Sequence, residues 1–139
     1  MSRRARRDHG QSLVEFAIGI VVFLLMILGI VDLGRAVYQL SGVSQAAREI
    51  ARTTSVHPGG TLGDSAQTAA TVAVQRRLVP GLSVTSYDCV DIGGAPIAGD
   101  CKPGSWVRVT VSSRFDPSLP LLAIVGPIDL TSSGSAEIE

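Results

Sequence analysis

Residues 10–31 read GQSLVEFAIGIVVFLLMILGIV, a run in which Glu15 is the only charged side chain. The residues before it include four arginines, and positive residues beside an apolar segment stay on the cytoplasmic side of a membrane. A carboxylate near the centre of such a segment costs roughly 2.5–3.5 kcal/mol and usually marks a functional position. Glu15 is therefore the first candidate functional residue. The four arginines are Arg3, Arg4, Arg6 and Arg7.

The spacing of Gly10, Gln11 and Glu15 indicates how this carboxylate could find a partner. Cleavage after Gly10 would make Gln11 the new N-terminus, with an α-amino group whose pKa is about 7.7–8. Residues 11 and 15 are four apart, so on a helix the new ammonium group and the Glu15 carboxylate would lie on one face. The pair could form within one chain or between two copies.

The N-terminal sequence resembles the type IV prepilin signal that prepilin peptidases read. The shared features are a basic leader, Gly10, Glu15 at the fifth position after it, the aromatic Phe16 and a long apolar helix. Gln11 stands where many type IV pilins have Phe. More narrowly, the chain resembles TadE-like minor pilins of tight-adherence pili. The resemblance rests on the sequence of residues 10–16, on AAREIAR at residues 46–52 and on the terminal Glu139.

The resemblance implies a type IV pilin-like α+β fold and a structural, non-enzymatic role. The chain would be inserted in the cytoplasmic membrane as a precursor, with its globular domain outside the cytoplasm, and cleaved after Gly10. It would then enter or prime an extracellular filament for adherence or secretion. The implied partners are other pilin subunits, a prepilin peptidase, the membrane and a pilus assembly platform.

Composition divides the chain into four parts. Residues 1–10 form the leader, which we expect to be disordered or removed; residues 11–31 are membrane-inserted; residues 32–55 are amphipathic; residues 56–139 form one small globular domain. The formal charge is zero, but removing residues 1–10 takes away four Arg and one Asp and leaves 8 basic against 11 acidic side chains, or −3. A mildly acidic exterior argues against nucleic-acid binding.

Cys89 and Cys101 are the two cysteines of the chain, so each has the other as its intramolecular partner. In an oxidising compartment they would form a disulfide worth about 3 kcal/mol. The rival interpretation is a pair of reduced, buried thiols, whereas a zinc site lacks the required ligands. The acidic residues around this loop could bind calcium, but a solvated acidic loop fits their spacing better. These residues are Asp88, Asp91 and Asp100, and we expect no cofactor.

The helical segments follow from apolar periodicity. One helix is predicted from about Ser12 to Ser55, ended by His57-Pro58-Gly59-Gly60. A short second helix is predicted from the capping-box spacing of Asp64 and Gln67 to the stop at Pro80-Gly81. The apolar positions of the first helix are Leu33, Ala36, Val37, Leu40, Val43, Ala47, Ile50, Ala51 and Thr54. Those of the second are Ala66, Ala69, Ala70, Ala73, Val74 and Leu78.

Three strands follow, in a sheet of three or four antiparallel strands laid on the first helix. Leu82–Val90 and Ile128–Ile138 are predicted strands, and Trp106–Phe115 is the clearest because apolar and polar residues alternate along it. Ile92–Pro103 is a predicted turn region. Asp116–Pro127 is a connection because it contains three prolines. Its apolar residues could form a contact surface; they are Leu119, Leu121, Leu122 and Ile124.

No catalytic arrangement is recognisable in the sequence. His9 and His57 read as solvated residues of the leader and of a turn, and Gly93-Gly94 lacks the Lys-Ser/Thr of a phosphate-binding loop. Two alternatives to a pilin stay open: a single-pass anchor carrying an extracytoplasmic domain, and a secreted domain released by a signal peptidase. Against the second, the apolar run is longer than a signal peptide's, and the small-residue site at Ser44-Gln45-Ala46 comes late.

Overall fold

The computed structural model describes residues 4–97, 101–117 and 126–139. It consists of a long helix, a short helix and a three-stranded antiparallel sheet in the order β1-β2-β3, which confirms the α+β pilin-like fold. The predicted apolar contact surface and Asp100 lie outside the described residues. The elements are α1 (Arg4–Val56), α2 (Ala66–Leu78), β1 (Leu82–Val90), β2 (Trp106–Phe115) and β3 (Ile128–Glu137).

Helix α1 is longer than the sequence predicts at its N-terminal end. It begins at Arg4 rather than near Ser12, so the leader from Arg4 onward is helical in the structure, and its removal stays a prediction. Arginine and alanine are good helix formers, and the leader continues the helix that follows it. The helix ends as expected before Pro58, because proline disfavours helical geometry at the residue preceding it. Thr53 O accepts the last helical hydrogen bond from the backbone N of His57, at 3.1 Å.

Strand β2 is the centre of the sheet and pairs with β1 on one side and β3 on the other. Its bounds are those that the sequence predicts. Val107, Val109 and Val111 are fully buried, because alternate side chains of a strand point to the same face. That face carries the core and lies against α1.

Helix α1 packs on the sheet through the second part of its length. Val43, Ala47 and Ile50 are fully buried, and burying a valine or isoleucine side chain stabilises the fold by about 1.5–3 kcal/mol. The approach to β3 is very close: a Cβ built on Gly134 would lie 2.6 Å from the backbone carbon of Ala47. Glycine at 134 therefore lets helix and strand touch. Three of the predicted core positions of α1 are exposed instead: Leu33, Val37 and Leu40.

Helix α2 differs from the prediction in its cap and in its buried face. Ser65, not Asp64, is the N-cap, and its side-chain oxygen accepts a 3.1 Å hydrogen bond from the backbone N of Thr68. The buried side chains are Thr68 and Val72. All six residues of the predicted apolar face are exposed. Because four of the six are alanines, burying that face would gain little apolar area, whereas Thr68 reaches the Thr54 hydroxyl of α1 at 3.3 Å.

Candidate functional site

Gly10, Gln11 and Glu15 all lie on the exposed surface of α1. The helix runs without a break through the peptide bond between Gly10 and Gln11. At 1.5 Å per residue, Gln11 and Glu15 stand about 6 Å apart along the axis and on the same face. A terminal amine created at Gln11 would therefore begin the helix one turn below the Glu15 carboxylate.

The folded chain itself places no demand on Gly10. A Cβ built there would meet nothing within 4 Å, and the same holds at Gly19, one of the glycines of the apolar run. Glycine costs roughly 1 kcal/mol relative to alanine in a helix. Gly10 thus weakens α1 without serving its packing, as Gly19 does.

Large apolar side chains are exposed all along the run between Glu15 and Asp32. Every large apolar side chain from Leu13 to Val31 is between 38% and 70% exposed. Among the described residues, the helix segment Gly10–Val56 is the one candidate membrane span. The two carboxylates are about 26 Å apart along the helix, close to the roughly 30 Å of a hydrocarbon core. The run indicates membrane anchoring, with Glu15 at one border of the apolar layer.

Asp32 marks the other border, and sequence reasoning did not single it out. It is only 4% exposed, and it accepts a 3.1 Å hydrogen bond from Nη1 of Arg35. The Arg35 guanidinium lies 5.8 Å from the ring centroid of Phe115 in β2, within the range of a cation–π interaction. The signal available in the sequence was the three-residue spacing of opposite charges directly after the apolar run. The globular domain thereby shields an acid where the apolar run ends.

The second pair of predicted residues, Cys89 and Cys101, lies at the opposite end of the molecule. Their sulfur atoms are bonded in the structure, and their Cα atoms are 5.7 Å apart. The loop they close begins with a bridge between Val90 and Pro96. The pair borders a cleft together with the Pro58–Leu62 loop that follows α1. Since 46 helical residues lie between Gly10 and Pro58, the disulfide is roughly 70 Å from Gly10.

The acidic residues near the disulfide hold local structure. The Asp91 carboxylate accepts a 2.8 Å hydrogen bond from the backbone N of Ala95, and that of Asp88 accepts one from the Ser86 hydroxyl at 2.8 Å. Within the described residues, no group of three metal-ligating side chains comes together. The cleft beside them measures about 600 Å³. Burial raises the pKa of Tyr87 on its wall, and the charge of Arg76 acts in the opposite direction.

Comparison with known proteins bears on α1. The family model described as "TadE-like protein" matches residues 10–52, a segment that begins at Gly10 and lies wholly within this helix. The match confirms the resemblance to TadE-like proteins over those residues. No curated protein and no solved structure matches the chain.

Proposed function

We propose that the chain is a minor pilin, or pseudopilin, of a tight-adherence pilus. It enters the membrane through α1, is cleaved after Gly10 by a prepilin peptidase, and then joins or primes a surface filament for adherence or secretion. Its role is structural rather than enzymatic. Its partners are other pilin subunits, the peptidase, the membrane and the assembly platform.

The observation that carries this proposal is the position of Glu15. A simple anchor gains nothing from a carboxylate at this border of its apolar run, whereas an assembling subunit gains from one that neutralises a new terminal ammonium group. An unpaired charge in a low-dielectric helix bundle costs several kcal/mol. After cleavage Glu15 would also lie near the N-terminus of α1, where the helix dipole favours negative charge.

The start of the family match supports the same processing site. The match begins at Gly10, and residues 1–9, which include the four arginines, lie outside it. The exposed apolar surface from Leu13 to Val31 needs a partner, which is lipid in the precursor and sister helices in a filament. The described part of the globular domain leaves the large apolar side chains of this segment exposed.

The experiment that tests the proposal compares Glu15→Leu with Glu15→Asp. We expect Glu15→Leu to be inserted and cleaved after Gly10, as read by N-terminal sequencing, yet to be missing from sheared surface filaments. Glu15→Asp keeps the charge on a shorter stem and should be partly incorporated. Normal filament number and normal incorporation of Glu15→Leu would favour the single-pass anchor. Wild-type cleavage near Ala46 would favour a secreted domain.

A further inference from the structure

Two surfaces on opposite sides of the globular domain have no partner in the part of the chain that the structure describes. One is the outer face of α2, which points away from α1 and includes Val74, 53% exposed. The other is the free edge of β3, the edge turned away from β2. The outer face of α2 consists of Ala66, Ala69, Ala70, Ala73, Val74 and Arg77.

We propose that the outer face of α2 in one copy covers the free edge of β3 in the next copy. The inference rests on the proposed function, because it names the surfaces through which assembled subunits touch. An open edge strand invites pairing with other chains, and proteins commonly protect it with a helix. The edge of β1 is already protected, since it carries a bulge between Val84 and Ser86 and a bridge from Val90 to Pro96.

The charges of the two surfaces are complementary. Helix α2 contains Arg76 and Arg77 and no acidic residue, whereas β3 contains Asp129 and Glu137 and no basic residue. Arg114 stands opposite Asp129 on β2, but its guanidinium contacts the Asp116 carboxylate at 3.6 Å. Of the two arginines, Arg77 belongs to the outer face, and Arg76 lies toward Tyr87 of β1.

The placement of the two surfaces favours an open assembly over a closed dimer. Helix α2 packs beside α1 and β1, and β3 is at the other edge of the sheet. A contact between different surfaces of two copies is heterologous, and such contacts build filaments when the rotation does not close a ring. A contact of this kind would therefore add subunits one after another in one direction.

The heights of the two surfaces can be compared because α1 gives all copies the same orientation in the membrane. Val79, just after α2, faces Gly42, whereas β3 passes Ala47 at Gly134. Leu130 of β3 pairs with Ser113 of β2, whose hydroxyl accepts a hydrogen bond from Gln39, so β3 from Leu130 to Gly134 runs beside α1 from Gln39 to Ala47. On this scale along α1, Arg77 lies at about the height of Ser132. Asp129 is about 10 Å from that level and Glu137 about 17 Å, so Asp129 is the nearer partner for Arg77.

A cysteine pair across the proposed contact tests it directly. Two differently tagged full-length copies are produced together, one with Ala73→Cys and one with Ser133→Cys, and oxidised in membranes and in sheared filaments. We expect a mixed dimer, with much less cross-linking when both copies carry the same substitution. Predominant linkage between two Ala73→Cys copies would indicate a symmetric helix contact and overturn the proposal, as would no mixed dimer in either sample.

Charge reversal provides the specificity control. Arg77→Glu in the Ala73→Cys copy should lower the mixed dimer by about fivefold, the scale of a surface ion pair turned repulsive. Arg76→Glu makes the same charge change outside the outer face and should lower the yield of mixed dimer less. Asp129→Arg in the other copy should restore the yield. Rescue by Glu137→Arg instead would support the same two surfaces at another axial offset, and rescue by neither would refute the charge pairing.

The same samples separate this inference from the proposed function. Filaments that contain the protein without the mixed dimer would leave the pilin proposal standing and refute the contact. Mixed dimers in the membrane of a host that never incorporates the protein into filaments would support the contact and refute the filament role.

Discussion

At the scale of single residues, the glycines of α1 and β3 serve different needs. Gly134 is required by the fold, because a methyl group there would collide with the backbone of Ala47. Gly10 has open space around it and no packing role in the described structure. The sequence singled out Gly10 as a predicted processing site through its distance from Glu15, but it contained no sign of Gly134, since a close approach between remote segments leaves no local pattern.

Gly10→Ala is therefore expected to block processing without disturbing the protein. The substitution removes about 1 kcal/mol of helix destabilisation and makes no new contact, so any loss must arise in the peptidase. We expect full-length precursor to accumulate in the membrane, measured by gel mobility and N-terminal sequencing. Gly19→Ala, equally open and in the same helix, is the matched control and should mature normally. Normal maturation of Gly10→Ala would count strongly against a prepilin-type site.

At the scale of elements, the strands were predictable and the faces of the helices were less so. In β2 the alternation of valines with polar residues identified both the strand and its buried face. A strand with one face on the core and the other in solvent carries apolar and polar side chains alternately. In α2 the apolar periodicity identified the helix but gave the wrong buried face. Alanines supply helix propensity with little area to bury, so contacts made by Thr68 with Ser65 and Thr54 decided the orientation.

The N-cap of α2 offers a test at this scale. Ser65→Ala removes the side-chain acceptor for the Thr68 backbone N and should lower the free energy of unfolding by about 1 kcal/mol. Asp64→Ala alters the cap that the sequence predicted and should change the free energy of unfolding by much less. The measurement is chemical denaturation in detergent followed by the fluorescence of Trp106, the single tryptophan of the chain. Equal losses in the two variants would contradict the assignment of Ser65 as the cap.

At the scale of the whole molecule, the apolar end of α1 and the disulfide end of the globular domain differ in the interactions that stabilise them. The first half of α1 is an exposed apolar helix, whereas the domain around Ile50 is a packed core with the Cys89–Cys101 bond at its far end. The sequence predicted both ends, because hydropathy and cysteine pairing are local or nearly local signals. It missed Asp32, since its burial depends on a domain folded later in the chain.

Loss of the disulfide should consequently loosen the sheet and leave the helix in place. The double variant Cys89→Ala and Cys101→Ala should lose about 3 kcal/mol of stability, because the closed loop no longer restricts the unfolded chain. Trp106 opens β2 next to this loop, so its fluorescence should report an earlier denaturation midpoint, with faster proteolysis near the loop. Membrane extraction should be unchanged. Lys102→Ala, in the same loop with the bond intact, is the control, and identical midpoints for all three proteins would refute the prediction.

The unbroken course of α1 also determines how a filament of such subunits would carry mechanical load. After the proposed cleavage, the remaining helix of residues 11–56 would still contain both the apolar segment and the residues that hold the sheet, so tension along such a filament would pass through α1. The sheet is attached to the side of this helix, at Ala47 and Gln39 among other positions, and stands outside the path of the force. The domain could then face flow or a surface without being the element that bears the strain.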